Sequence, residues 1–141
     1  MAEQEIKVIH GYPPNYQQIQ LNFPVTDNQV YAYYPNIYIP NGKDPEPSLL
    51  LHENIHCERQ NKIGVDKWWY QYITDKSFRL EEELKAFGAQ YAFIKTVYPS
   101  QMIKDMLHEF AVNLSSPLYG NIIDKNKAEC LIRIRAKEYG G

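Results

Sequence analysis

Leu49-Leu50-Leu51-His52-Glu53-Asn54-Ile55-His56-Cys57-Glu58-Arg59-Gln60-Asn61-Lys62-Ile63-Gly64 is the stretch on which the reading of this chain turns. An apolar lead-in and a glycine stop predict a helix that opens at Pro47 or Ser48 and ends at Ile63. On a helix, residues four apart stand one above the other about 6 Å apart, so His52 and His56 can converge on one Zn²⁺. Glu53 is rotated by one residue, which sets its carboxylate beside the ion instead of on it. There it can take a proton from a water that the ion acidifies. Leu51 and Ile55, also four apart, form a separate apolar stripe by which a core can hold the helix.

Two imidazoles hold zinc weakly; a catalytic site has three protein ligands and an open position. The residues after His56 supply no further histidine, so a carboxylate from a later helix is the expected donor. Arg79-Leu80-Glu81-Glu82-Glu83-Leu84-Lys85-Ala86-Phe87 offers three. Leu80, Leu84, Phe87, Tyr91 and Ile94, spaced by three or four, mark the apolar side of that helix. Glu83 lies between Leu80 and Phe87, with the small Ala86 beside it to allow close approach of another helix. Glu81 points away and Glu82 is intermediate. Glu83, at 83 − 56 = 27 residues beyond His56, is therefore the expected third ligand. A solvated acidic helix start is the plain alternative for it, and His108 or Glu82 would be the substitutes. Cys57 faces away from the histidine pair, and both Cys57 and Cys130 are expected as small buried hydrophobes without a disulfide.

At 141 residues the chain is read as one domain, 1–141. A net charge of −2 with no block of like charges points away from nucleic acid and from membrane surfaces. No apolar run is long enough to span a bilayer, and Met1 to Glu5 lacks the basic and apolar regions of a signal peptide. The expected location is the cytoplasm. Twelve tyrosines suit half-wet surfaces and hint at a protein partner.

Strand propensity at Glu5 to His10, Gln29 to Tyr34 and Asn36 to Ile39 precedes the motif, with a short helix over Tyr16 to Leu21. Helices follow it: Lys67 to Ile73 capped by Asp66, Ser77 to Val97, Gln101 to Asn113 capped by Ser100, and one from Asp124 to about Glu138. Leu114 to Asn121 reads as irregular. Strands first and helices afterwards describe an α+β domain, with short N-terminal strands packed on the His52 helix.

These residues resemble the gluzincin class of zinc metallopeptidases, whose motif is H-E-x-x-H plus a downstream glutamate in an E-x-x-A-like context. Here those are His52, Glu53, His56 and Glu83-Leu84-Lys85-Ala86. More narrowly, the chain looks like small phage- and prophage-encoded metallopeptidases. The shared segments are Gly11-Tyr12-Pro13-Pro14-Asn15, Ile37-Tyr38-Ile39-Pro40, Trp68-Trp69-x-x-Tyr72 and Leu114-Ser115-Ser116-Pro117-Leu118-Tyr119-Gly120. Glu58 departs from the resemblance, standing where many such enzymes carry an apolar residue.

The resemblance implies a minimal zincin-like domain that hydrolyses peptide bonds of a protein or peptide substrate. Zinc would be held by His52, His56 and Glu83, and Glu53 would assist attack by zinc-bound water. Tyr119 is the implied donor to the oxyanion, Arg79 an orienter of a carboxylate or a surface ion pair, and Asn36 to Ile39 the edge strand along which a peptide aligns. Trp68 and Trp69 are read as core and rim packing for the active helix. The competing readings are a phage virion or assembly protein that keeps the fold, with virion proteins as partners, and a regulatory peptidase that cleaves a repressor or antitoxin. Residence in the host cytoplasm or association with the virion follows from the same resemblance.

Overall fold

The structure, a computed structural model, describes residues 5–141. It is α+β: six α-helices and one three-stranded sheet among the described residues, with the strands early in the chain. The chain divides into two compact units, one ending at Asp75 and one beginning at Lys76.

The first unit holds β1 (Lys7–Ile9), α1 (Tyr16–Asn22), β2 (Tyr31–Tyr33), β3 (Asn36–Tyr38), α2 (Pro47–Ile63) and α3 (Val65–Thr74). The turn at Tyr34-Pro35 folds β2 back antiparallel on β3, Tyr31 opposite Tyr38, and β1 joins parallel on the other side, Lys7 opposite Asn36. The order β1-β3-β2 makes Asn36–Tyr38 the central strand. The expectation that it forms an edge for a peptide is therefore wrong, because both of its flanks are already bonded. The outer side of β2 is closed as well. The Gln60 carboxamide donates to the Ala32 carbonyl at 3.0 Å and accepts from the Tyr34 N–H at 2.7 Å, as a neighbouring strand would. Trp69 Nε1 donates to the same carbonyl at 3.0 Å.

Helix α2 lies on this sheet through Cys57, which is buried with Ala32 and Ile37 and flanked by Leu50. Proline at its first position needs no N–H partner there, and Gly64 ends it with φ 102°, a left-handed backbone that a side chain would resist. The Gly64 N–H donates to the Gln60 carbonyl at 2.8 Å. Gly64 also opens α3, so Asp66 is not its cap. Asp66 instead accepts the Tyr33 hydroxyl at 2.6 Å.

The second unit holds α4 (Lys76–Val97), α5 (Ser100–Leu114) and α6 (Lys125–Ala136), with single 3₁₀ turns at Pro117–Tyr119 and Lys137–Tyr139. Leu84, Phe87 and Ile94 from α4 meet Leu107, Phe110 and Leu114 from α5, and Ala128 and Ile132 from α6. Helices α4 and α6 approach closely at Gly88, where an added Cβ would stand 3.0 Å from Arg135 Cβ and 3.1 Å from its backbone carbon. Asp124 caps α6 as expected, accepting from the Lys127 N–H at 2.9 Å. Ser100 does not cap α5; Pro99 occupies that position, and no side chain bonds to it. Cys130 is exposed on α6, against the expectation of burial, and both cysteines are free thiols.

Candidate metal centre

His52 and His56 are one turn apart on α2, with ring centroids 5.0 Å apart and planes at 81°. The expected stacking of an i, i+4 pair is present. Glu53 stands beside the pair, its Oε2 4.0 Å from His52 Nε2. Relative exposures of 3 % for His52, 7 % for Glu53, 4 % for His56 and 2 % for Glu83 remove all four groups from bulk water. Burying carboxylates is costly unless a cation or hydrogen bonds compensate, so this is not a solvated acidic face. One ligand atom from each of His52, His56 and Glu83 lies within 4.8 Å of the other two, the one such group of acids, histidines and cysteines among the described residues.

Aromatic rings wall the histidine pair on the α3 side. The Trp68 ring is 5.2 Å from His56 and stacks on Tyr72 at 4.8 Å and 17°. Trp69 meets Trp68 edge-on at 5.1 Å. The packing role expected for both tryptophans is what the structure shows. Tyr31, on β2, is a neighbour of Glu53. Burial first, and then the charges of Tyr16, Tyr12 and Glu53, hold its phenol above its ordinary value of 10.0. Cys57, on the same helix, has its thiol pushed up to about 12, by burial first and then by Glu53 and Glu58. Cys57 belongs to no ligand group among the described residues, and its Sγ instead makes a weak hydrogen bond to the Asn36 carbonyl at 3.7 Å.

On α4, Glu81 and Glu82 do not share the role of Glu83. Glu81 is paired with Arg135 Nη2 at 2.6 Å. Glu82 is fully buried, deeper than its intermediate place in the helical period suggested, with Lys85 Nζ 3.6 Å away. His108 is exposed on α5 and belongs to no ligand group among the described residues, which removes it as a substitute. Arg79 is buried, so the surface ion pair is excluded. Its Nε donates to the Tyr119 carbonyl at 2.9 Å, fixing the 3₁₀ turn. Tyr119 itself is half-buried, its ring 6.1 Å from Phe87 in the helical core.

Gln60 is the residue that sequence reasoning passed over. It continues the His52–His56 stripe by one more turn and ties that face of α2 to β2 through its two strand-like bonds. The signal was the four-residue spacing itself, extended past the motif.

Searches against protein-family models, curated proteins and solved structures find no match to this chain.

Proposed function

We propose that the protein is a zinc-dependent metallopeptidase of minimal zincin-like fold. The observation that carries the reading is the mutual approach of His52, His56 and Glu83 ligand atoms within 4.8 Å, all three residues buried. Two imidazoles and a carboxylate are a donor set typical of catalytic zinc, leaving one position open. When bound, zinc supplies Lewis acidity to a carbonyl oxygen and lowers the pKa of a water molecule to about 7.

The chain's own groups do the rest. His52 and His56 hold the ion from one helix face, and Glu83 completes the set. Glu53, beside His52 at 4.0 Å, accepts the proton of the attacking water and returns it to the leaving amine. Trp68 and Tyr72 screen the imidazoles from solvent, which strengthens every charge interaction within the site. Tyr119 is assigned to the developing oxyanion by the resemblance to gluzincins; Tyr31, a buried phenol that feels the Glu53 charge and donates to Gln29 Oε1 at 3.2 Å, is the second candidate.

Metal analysis of the protein purified without chelator tests the ligand set before any substrate is known. About one zinc per chain is expected in wild type and in Glu53→Gln, with loss in His52→Ala and Glu83→Ala. Full zinc in Glu83→Ala would overturn the assignment. Proteolysis of an unfolded protein such as casein is expected to fall at least a hundredfold in Glu53→Gln with metal retained. Tyr119→Phe and Tyr31→Phe, assayed together, separate the two phenols.

A further inference from the structure

Asn15, Trp69 and Tyr70, from two stretches singled out in the sequence, line one cleft that none of the site histidines lines. Between α1, β2 and α3 there is a cleft of about 540 Å³, lined among others by Asn15, Leu21, Asp66, Trp69, Tyr70 and Ile73. Its rim carries two exposed large apolar side chains among polar neighbours: Leu21 is 85 % exposed and Tyr70 69 %. One lining residue carries a charge, the acid Asp66, and that carboxylate is engaged by the Tyr33 hydroxyl.

The Asn15 carboxamide is the second observation. Its oxygen and its nitrogen are both buried, and neither makes a hydrogen bond. An unsatisfied buried amide is a cost that a fold seldom keeps without a use. The terminal torsion of asparagine is broad, so a small rotation turns the group toward the cleft that its residue lines.

We infer that this cleft binds an uncharged, extended peptide segment bearing a large apolar side chain. A peptide backbone offers one acceptor and one donor to the two unmet groups of Asn15, and the side chain covers Trp69 and Ile73 beneath the Leu21–Tyr70 rim. The absence of any basic lining residue disfavours phosphate-bearing ligands. Trp69 also touches Trp68, whose ring lies against His56, so an occupant sits two rings from the histidine pair. The inference does not rest on the metallopeptidase reading.

The test is a titration of the full chain, stripped of metal by chelator, with the capped tripeptide acetyl-Ala-Phe-Ala-amide, followed by ¹⁵N-resolved NMR. Saturable shifts are expected at the Asn15 side-chain amide and the Trp69 indole N–H. Asn15→Leu should abolish binding while raising the thermal midpoint, since it removes two unsatisfied polar atoms and keeps the branched heavy-atom shape. Leu21→Ser and Tyr70→Ser, at exposed positions that leave the core alone, should each weaken binding about tenfold. No saturable shift in wild type, or wild-type affinity in all three variants, would overturn the inference. Tighter binding of adenosine at the same resonances would also overturn it, by assigning the cleft to a nucleobase. Shifts at His52 and His56 with none at Asn15 would do so by assigning the peptide to the other site.

Discussion

Burial decides what the individual titratable side chains on α2 can do. Glu53 and Cys57 share that helix, one turn apart, and the carboxylate's charge adds to burial in holding the thiol un-ionised, up to about 12. Cys130 is exposed on α6. Thiolate is the reactive form, so the two cysteines should differ sharply toward alkylation. Native protein treated with iodoacetamide near neutral pH is expected to take up one carboxamidomethyl group, at Cys130, and the unfolded chain two. Peptide mass spectrometry reads the result directly. Rapid native labelling of Cys57 would mean that the face of α2 against β3 opens far more readily than its packing implies.

Helix spacing made most of the elements readable in advance. Pro47 to Ile63 was legible because proline, a four-residue apolar period and Gly64 agree at every level. The same period pointed to Glu83 over Glu81, and Glu81 does leave that face to pair with Arg135. Caps were less legible. Asp66 and Ser100 have the chemistry of caps, but a glycine and a proline just ahead of them set the backbone first. Strand order was not legible at all, since three-residue strands carry almost no alternation and their neighbours are chosen by long-range packing. The depth of Glu82 was missed for a similar reason: its cover comes from tertiary structure, not from its own helix. Close approach between α4 and α6 at Gly88 is a further element-level feature. Gly88→Ala recovers up to about 1 kcal/mol of helix propensity but drives a methyl against Arg135 and Ala136 backbone atoms. Overpacking of that kind costs about 1–3 kcal/mol, so a net loss of up to about 2 kcal/mol is expected by urea denaturation.

At the scale of the whole molecule, pH is one lever on stability, and the proposed metal would be a second. The Arg135 guanidinium, by hydrogen bond first and then by charge, holds the Glu81 carboxyl below its ordinary value of 4.5. A carboxyl depressed in the folded state binds fewer protons there than in the unfolded chain. Its contribution is therefore present above pH 4.5 and lost as pH falls below it. Both side chains are partly solvated, so the effect is that of a surface pair, about 0.5 kcal/mol. Glu81→Gln should flatten the acid limb of stability against pH by that amount and leave neutral pH behaviour in the same form. Zinc would add to stability by binding. If the proposed ligand set holds it only in the folded state, a hundredfold excess over Kd adds about 2.7 kcal/mol. Calorimetry should show a raised midpoint with zinc, reversal by chelator, and no such shift in His56→Ala.

The side chain of Gln60 deserves a final consequence. By taking the Ala32 carbonyl and the Tyr34 N–H from a helix, it occupies two of the groups with which the free side of β2 could recruit another chain. Fibrillation or strand exchange through the sheet is then disfavoured at β2 relative to the opposite flank, Lys7–Ile9. Protection against misassembly and the placing of the histidine-bearing helix are thus one device, and a substitution that loosens the first disturbs the second.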